Sequence, residues 1–225
     1  IETSTLSRMS VVITEEVGLR FQPRVAVLSG PTFATEIVRG EPAAVVVASA
    51  DPELACAVQR QFSGPALRLY TNDDPTGVET GAALKNVIAI AAGIVQGLGL
   101  GNNTLAALVT RGLAEITRLA VKLGGQPSTL AGLAGLGDLF LTCTGDLSRN
   151  RKVGIELSKG IELSTILASM SMIPEGVETT SAAVALARLH SLEMPITEQM
   201  YLVLRDRKPP REALKNLMDR ALRSE

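Results

Sequence analysis

Cysteine is scarce: only Cys56 and Cys143 occur in 225 residues, far apart and without CxxC spacing. That excludes a disulfide framework and a cysteine zinc site, and makes a reducing, cytoplasmic compartment the expectation. Histidine is rarer still. His190 sits between Leu189 and Leu192 near the end of a helical pattern, so it reads as structural rather than as part of a Ser-His-Asp triad or a multi-histidine metal site. Charge of one sign is also lacking: 22 Lys and Arg are interleaved with 23 Asp and Glu for a net charge of −1, which argues against a general nucleic-acid surface. No uninterrupted apolar run approaches the ~18 residues of a membrane span, and the N-terminus has no signal-peptide layout. Neither G-x-G-x-x-G nor G-x-x-x-x-G-K-[ST] is present. The glycines at 97, 99 and 101 follow a helical pattern and lack the required third spacing.

What is there describes a well-packed globular chain, 46% hydrophobic and 20% charged, with room for two domains. It starts at Ile1, and is expected to be the interior of a longer protein. Residues 24–29, 43–49 and 66–70 are short β-branched or alternating runs that predict strands. Helical patterning fills 31–39 and 52–62, the latter opened by Asp51 as cap and Pro52 at the first helical position. After Tyr70 the character changes: residues 72–75 are a turn and helix-start signal, and from Gly77 onward the periods are helical. The clearest is 104–123, with Leu105, Leu108, Val109, Leu113, Ile116, Leu119, Ala120 and Leu123 on one face before Gly124 and Gly125. Further helices are predicted near 129–135, 151–159, 162–170, 176–190, 197–206 and 210–223. The fold class is therefore α/β followed by all-α, divided near 75–77 into residues 1–76 and 77–225.

Several residues stand out chemically. Lys85 and Asn86 put a cation and an amide inside the apolar stretch 81–90. A lysine there either lays its stem along apolar surface and snorkels its ammonium outward, or is desolvated and acts as a proton donor or base; local sequence leaves both open. Gly132, Gly135 and Gly137 permit close backbone approach before Asp138, and Thr142 lies one helical turn further on. These two are either a cap and a back-bonded hydroxyl, or groups facing one point. Ser148, Arg149, Asn150, Arg151 and Lys152 suit phosphate oxygens, with a solvated basic helix start as the alternative. Gly30 to Ala34, with the Thr32 hydroxyl, follows a strand and opens a helix, where free N–H groups suit an anion or a cofactor edge. Glu175 and Glu178 most simply complement a helix dipole.

Taken together, seven stretches resemble the bacterial-type NAD(P)-dependent glycerol-3-phosphate dehydrogenase family. They are Leu-Ser-Gly-Pro-Thr-Phe-Ala (28–34) with Glu36, Gly81 with Lys-Asn-Val-Ile-Ala-Ile (85–90), Thr-Arg-Gly-Leu-Ala-Glu (110–115), Gly-Leu-Gly-Asp-Leu (135–139), Leu-Thr-Cys-Thr (141–144), Ser-Arg-Asn-Arg (148–151) and Met-Pro-Ile-Thr-Glu (194–198). No one of them would suffice, but they run collinearly over nearly the whole chain. The resemblance implies the latter part of a Rossmann-type NAD(P)-binding domain in residues 1–76 and a helical substrate domain in 77–225. It implies interconversion of sn-glycerol 3-phosphate and dihydroxyacetone phosphate with NAD or NADP, supplying phospholipid synthesis, and a possible homodimer. Lys85 matches the family's proton acceptor, and Asp138 is expected from the resemblance to orient it and to contact a hydroxyl. Gly30, Thr32, Lys85, Asp138, Ser148, Arg149 and Asn150 match substrate positions, and Ala34, Arg149, Ile173 and Glu175 match cofactor positions. Two departures stand against this: the glycine-rich fingerprint and an upstream substrate lysine are absent, and Pro174 precedes Glu175. The 225 residues alone are thus expected to bind cofactor poorly. Alternatives are a non-catalytic helical association module and a two-domain dehydrogenase of another phosphorylated substrate.

Overall fold

The computed structural model describes residues 1–222. Helix α1 (Met9–Gly18) is followed by strand β1 (Val27–Ser29), helix α2 (Ala34–Val38), strand β2 (Ala43–Ala48), helix α3 (Pro52–Phe62) and strand β3 (Leu67–Asn72). The sheet order is β1-β2-β3, with β1 antiparallel to β2 and β2 parallel to β3. Successive side chains of a strand point to opposite faces, and β2 shows the consequence. Val46 and Ala48 pack with Val78 and Ala134, whereas Val45 and Val47 pack with Leu69 and Val58. Its unbroken apolar run therefore marks a strand covered on both faces. Helix α3 starts as its sequence dictates, the Asp51 carboxylate accepting the N–H groups of Glu53 and Leu54 with Pro52 in the first turn.

Helix α4 (Pro75–Gly97) leaves the sheet and becomes the axis of the helical part. The buried Asp74 caps it through Gly77 N–H at 2.8 Å and also accepts Gln126 N–H at 2.7 Å. By length and composition α4 could cross a membrane, with a mean hydropathy of 1.5 over its apolar window, but 72% of that window is buried inside the fold. A helix apolar on all sides needs neighbours on all sides. These are α5 (Asn102–Lys122), α6 (Pro127–Leu130), a π-type turn at Leu133–Gly137, α7 (Asp138–Thr144), α8 (Arg149–Ser158), α9 (Leu163–Ser169), α10 (Gly176–Leu189), α11 (Pro195–Arg205) and α12 (Pro210–Met218). Leu84, Ile88, Ile90, Ile116, Leu119, Leu130, Leu139 and Met194 form the centre of one shared core.

Two predicted helices differ. The expected helix at 129–135 is interrupted because Gly132 is extended (φ −93°, ψ −161°), and the chain resumes as the π-type turn. The expected helix at 210–223 ends at Met218, and residue 223 lies outside the described residues.

Two contacts fix how the helices sit around α4. A Cβ on Gly154 would strike the Ile90 carbonyl, and one on Gly93 would strike the Arg151 carbonyl. Helices α4 and α8 thus touch backbone to backbone, which brings the start of α8 beside Asn86. The second contact is Glu115, 1% exposed, whose carboxylate accepts Ile196 N–H at 2.7 Å, Thr197 N–H at 3.1 Å and the Thr197 hydroxyl at 3.0 Å. It anchors the first turn of α11 to α5. Burial pushes its carboxyl above the usual range, partly offset by those donors.

Candidate functional site

Lys85 projects from α4, and its ammonium meets the Asp138 carboxylate at 2.5 Å; the two side chains are 21% and 2% exposed. The ammonium is therefore neither free in bulk water nor fully enclosed. Asp138 is the first residue of α7 and makes no side-chain cap. The π-type turn before it widens the backbone spiral, a distortion common at functional sites, and delivers the carboxylate towards α4. Its Oδ2 also accepts the Ser29 hydroxyl at 3.1 Å, from the end of β1. The Thr142 hydroxyl donates to the Asp138 backbone carbonyl at 2.6 Å, with Oδ1 at 3.4 Å. Back-bonding and convergence thus coexist at Thr142.

A second network joins α4, α8 and α10. Asn150, buried, donates its amide to Asn86 Oδ1 at 3.0 Å and accepts Gly176 N–H at 2.9 Å. Ser148, also buried, accepts Arg151 N–H at 3.3 Å and caps α8. Arg149, beside them, reaches outward to Glu175 at 2.7 Å, the pair being 33% and 53% exposed. Glu175 caps nothing, whereas Glu178 pairs with Arg205. The rest of the basic run is dispersed: Arg151 bonds Asp146 and the Gly145 carbonyl, and Lys152 is exposed.

Gly30 is buried at φ 155°, and a Cβ there would lie 2.9 Å from Val45 Cα, so only glycine fits. The Thr32 hydroxyl turns back to the Gly30 carbonyl at 3.3 Å, and the exposed Ala34 begins the five-residue α2. Ile173 stands 76% exposed. His190 occupies the C-cap of α10, away from any of these groups in the hydrogen-bond pattern.

The fold thus brings together Lys85 with Asp138, Asn86 with Asn150, and Arg149 with Glu175, while Ser29 ties the sheet to Asp138. Ser29 is the one member that sequence reasoning did not single out. Its signals were a hydroxyl at a strand end immediately before Gly30-Pro31 and its place in the family-like stretch 28–34. Chemically, the arrangement holds an ammonium on a buried carboxylate, with the Arg149 guanidinium carried next to Asn150, which bridges to Asn86 beside Lys85. Ala34, Ile173 and Glu175 are exposed and Arg149 is half-buried, and a guanidinium with a carboxylate suits the phosphate and amide edges of a dinucleotide.

Residues 74–215 match the family model described as NAD-dependent glycerol-3-phosphate dehydrogenase C-terminus, and residues 1–55 match its N-terminus counterpart. The chain is 58% identical to the glycerol-3-phosphate dehydrogenase [NAD(P)+] of Koribacter versatilis over 98% of its own length and 66% of that protein's. It is 56% identical to that of Geobacter sulfurreducens over its whole length and 67% of the relative's. The crystal structure of glycerol-3-phosphate dehydrogenase from Coxiella burnetii superposes with a TM-score of 0.92 at 40% identity, covering 96% of this chain and 66% of that one. This chain accordingly spans about two thirds of the length of its relatives, and by sequence and fold alike it belongs to the NAD-dependent glycerol-3-phosphate dehydrogenase family.

Proposed function

We propose that this chain is the larger part of an enzyme that interconverts sn-glycerol 3-phosphate and dihydroxyacetone phosphate. The observation that carries this is the Lys85 ammonium held at 2.5 Å on the buried Asp138 carboxylate. A nicotinamide cofactor, NAD or NADP, supplies or accepts the hydride when bound. Reduction of the ketone leaves negative charge on its oxygen. Lys85 stabilises that charge and donates the proton; in the reverse direction, neutral Lys85 removes it. Asp138 orients the ammonium, and Arg149 grips the phosphate with its fork. Asn86 and Asn150 brace α4 against α8, and Ser148 holds the first turn of α8, so these act through the backbone positions they fix as well as through any substrate contact.

Gly30 and Thr32 are assigned to the substrate rim. Ala34, Arg149, Ile173 and Glu175 are assigned to one edge of the cofactor, residues 1–76 serving the dinucleotide and 77–225 the substrate. The names of the relatives favour this reading over an association module. Free thiols at Cys56 and Cys143 fit a reducing cytoplasm. The homodimer is proposed on the family resemblance, and a mass measurement in solution decides it.

The decisive experiment is dihydroxyacetone phosphate-dependent oxidation of NADH or NADPH by the full encoded protein and its Lys85→Ala variant. General acid-base catalysis contributes about 10²–10⁴-fold, so kcat is expected to fall by at least about a hundredfold with the fold retained. Turnover near the parent value would remove Lys85 from the chemistry.

A further inference from the structure

Ser29 takes no part in the proton transfer or the phosphate grip, yet its side chain ends on the centre of the site. The register pairs Val27 with Ala48 and Ser29 with Val46. With a period of two, Ser29 therefore shares the sheet face of Val27, which packs with Val46, Ala48, Val78 and Ala134. That face is apolar and looks onto α4 and the π-type turn. A hydroxyl at its margin, half-buried, has few partners, and it donates to Asp138 Oδ2 at 3.1 Å. The same oxygen receives the Lys85 ammonium. Thr142 does not duplicate this contact, because its proton is directed to the Asp138 carbonyl at 2.6 Å and Oδ1 lies at 3.4 Å. Oδ2 is thus fixed from two sides, by the sheet through Ser29 and by the helical core through Lys85.

We infer that Ser29 is a positioning residue, which holds the Asp138 carboxylate in the orientation that presents the Lys85 ammonium to the reacting oxygen. The inference rests on the proposed hydride-transfer reaction. Without the hydroxyl, Asp138 keeps its charge and its place on α7, but its carboxylate is free to turn about the side-chain torsion, carrying the ammonium with it. Misplacement of a catalytic group by about 1 Å can cost about a hundredfold in rate. Substrate affinity is set elsewhere, by the phosphate grip of Arg149, so the loss belongs to kcat and not to KM.

The test compares Ser29→Thr with Ser29→Val in the full encoded protein. The two side chains have the same shape and differ only in the hydroxyl; Ser29→Ala serves as a smaller replacement, and circular dichroism checks each fold. Ser29→Val and Ser29→Ala are expected to lose about ten- to a hundredfold in kcat, with the KM for dihydroxyacetone phosphate within about threefold of the parent. Ser29→Thr is expected to recover most of that loss. Equal kcat in the Thr and Val variants, or a loss confined to KM, overturns the positioning role while leaving the reaction standing. Absence of turnover in the parent protein defeats the reaction itself, and this inference with it.

Discussion

Replacement of Glu115 separates two costs that its burial combines. Glu115→Ala removes the acceptor of three short hydrogen bonds, leaving the N–H groups of Ile196 and Thr197 and the Thr197 hydroxyl facing a cavity. A buried donor left unsatisfied costs about 1–3 kcal/mol, and an anion at a helix start contributes up to ~2 kcal/mol in partly buried geometry. Relief of the buried charge and entry of water offset part of this sum. The net loss is expected to be about 3–5 kcal/mol, which at about 2–4 °C per kcal/mol for a chain of this size lowers Tm by roughly 6–20 °C.

Glu115→Gln behaves differently. The amide keeps the shape and one oxygen, so at least one of the two backbone N–H groups loses its acceptor at a cost of about 1–3 kcal/mol, but the desolvated charge is gone. The sign with pH follows from linkage. Burial raises the folded carboxyl above its unfolded value near 4.5. The folded state therefore binds more protons in the interval above 4.5, and stability from this group falls as pH rises through it. Glutamine has no such slope. The destabilisation of Glu115→Gln relative to the parent should thus shrink as pH rises above about 4.5, and that of Glu115→Ala should shrink in parallel from a larger starting value. Thermal or urea unfolding of parent, Gln and Ala variants across that range supplies the comparison, and other titrating groups cancel in the difference. A parent-minus-Gln difference that widens towards neutral pH would refute the reasoning, as would an Ala variant within about 1 kcal/mol of the parent.

Arg149→Ala should raise the Michaelis constant for dihydroxyacetone phosphate by about ten- to a hundredfold, since a charged phosphate contact contributes ~1.5–3 kcal/mol; steady-state kinetics with an unchanged KM would remove Arg149 from the phosphate. Gly154→Ala should destabilise by about 1–3 kcal/mol in urea unfolding, because its Cβ would press into α4 at the Ile90 carbonyl. Burial pushes the Cys143 thiol up to about 12, so alkylation near pH 8 should leave it unlabelled in the folded protein while Cys56, half-buried, accepts label. Mass spectrometry of the Cys143 peptide before and after denaturation checks this.

Much of the fold was legible because it is locally encoded. Asp51-Pro52 announced α3, and the period along 104–123 announced α5, since caps and amphipathic spacing need only neighbouring residues. The strand directions were not legible: β1 turns out antiparallel to β2, and short β-branched runs carry no mark of the direction in which they pair. The break at Gly132 was also hidden, because glycine spacing alone does not distinguish a π-type turn from a helix. At the site, the oddity of Lys85 could be read from its apolar surroundings, whereas Asp138 as the group that orients it followed only from the family resemblance and not from any local pattern. Asp138 lies 53 residues away from Lys85, and Ser29 lies 109 residues from Asp138. Buried polar groups are satisfied by whatever the tertiary fold brings near. Asn150 illustrates the same point, since its amide serves Asn86 and the start of α10, a bracing role that its place in a basic run did not suggest.

The position of Lys85 follows from a tension inside α4. The helix is the core of its surroundings, so nearly every direction around it is apolar and closed; a cation there needs one direction left open and one partner supplied. The partner comes from the start of α7, directly after the π-type turn, and α8 packs on α4 by glycine-to-backbone contacts from Ile90 onward, past Lys85. Tight packing at Gly93 and Gly154 thus sets the spacing of α8 near Asn86, where Asn150 bridges the two helices. Loosening the crossing at its glycines would therefore reach the ammonium through Asn86, one residue away, without touching Lys85 or Asp138. The same helix that stabilises the fold also fixes where the proton sits, so stability and rate should fall together for changes along the α4–α8 seam and separately for changes at Ser29.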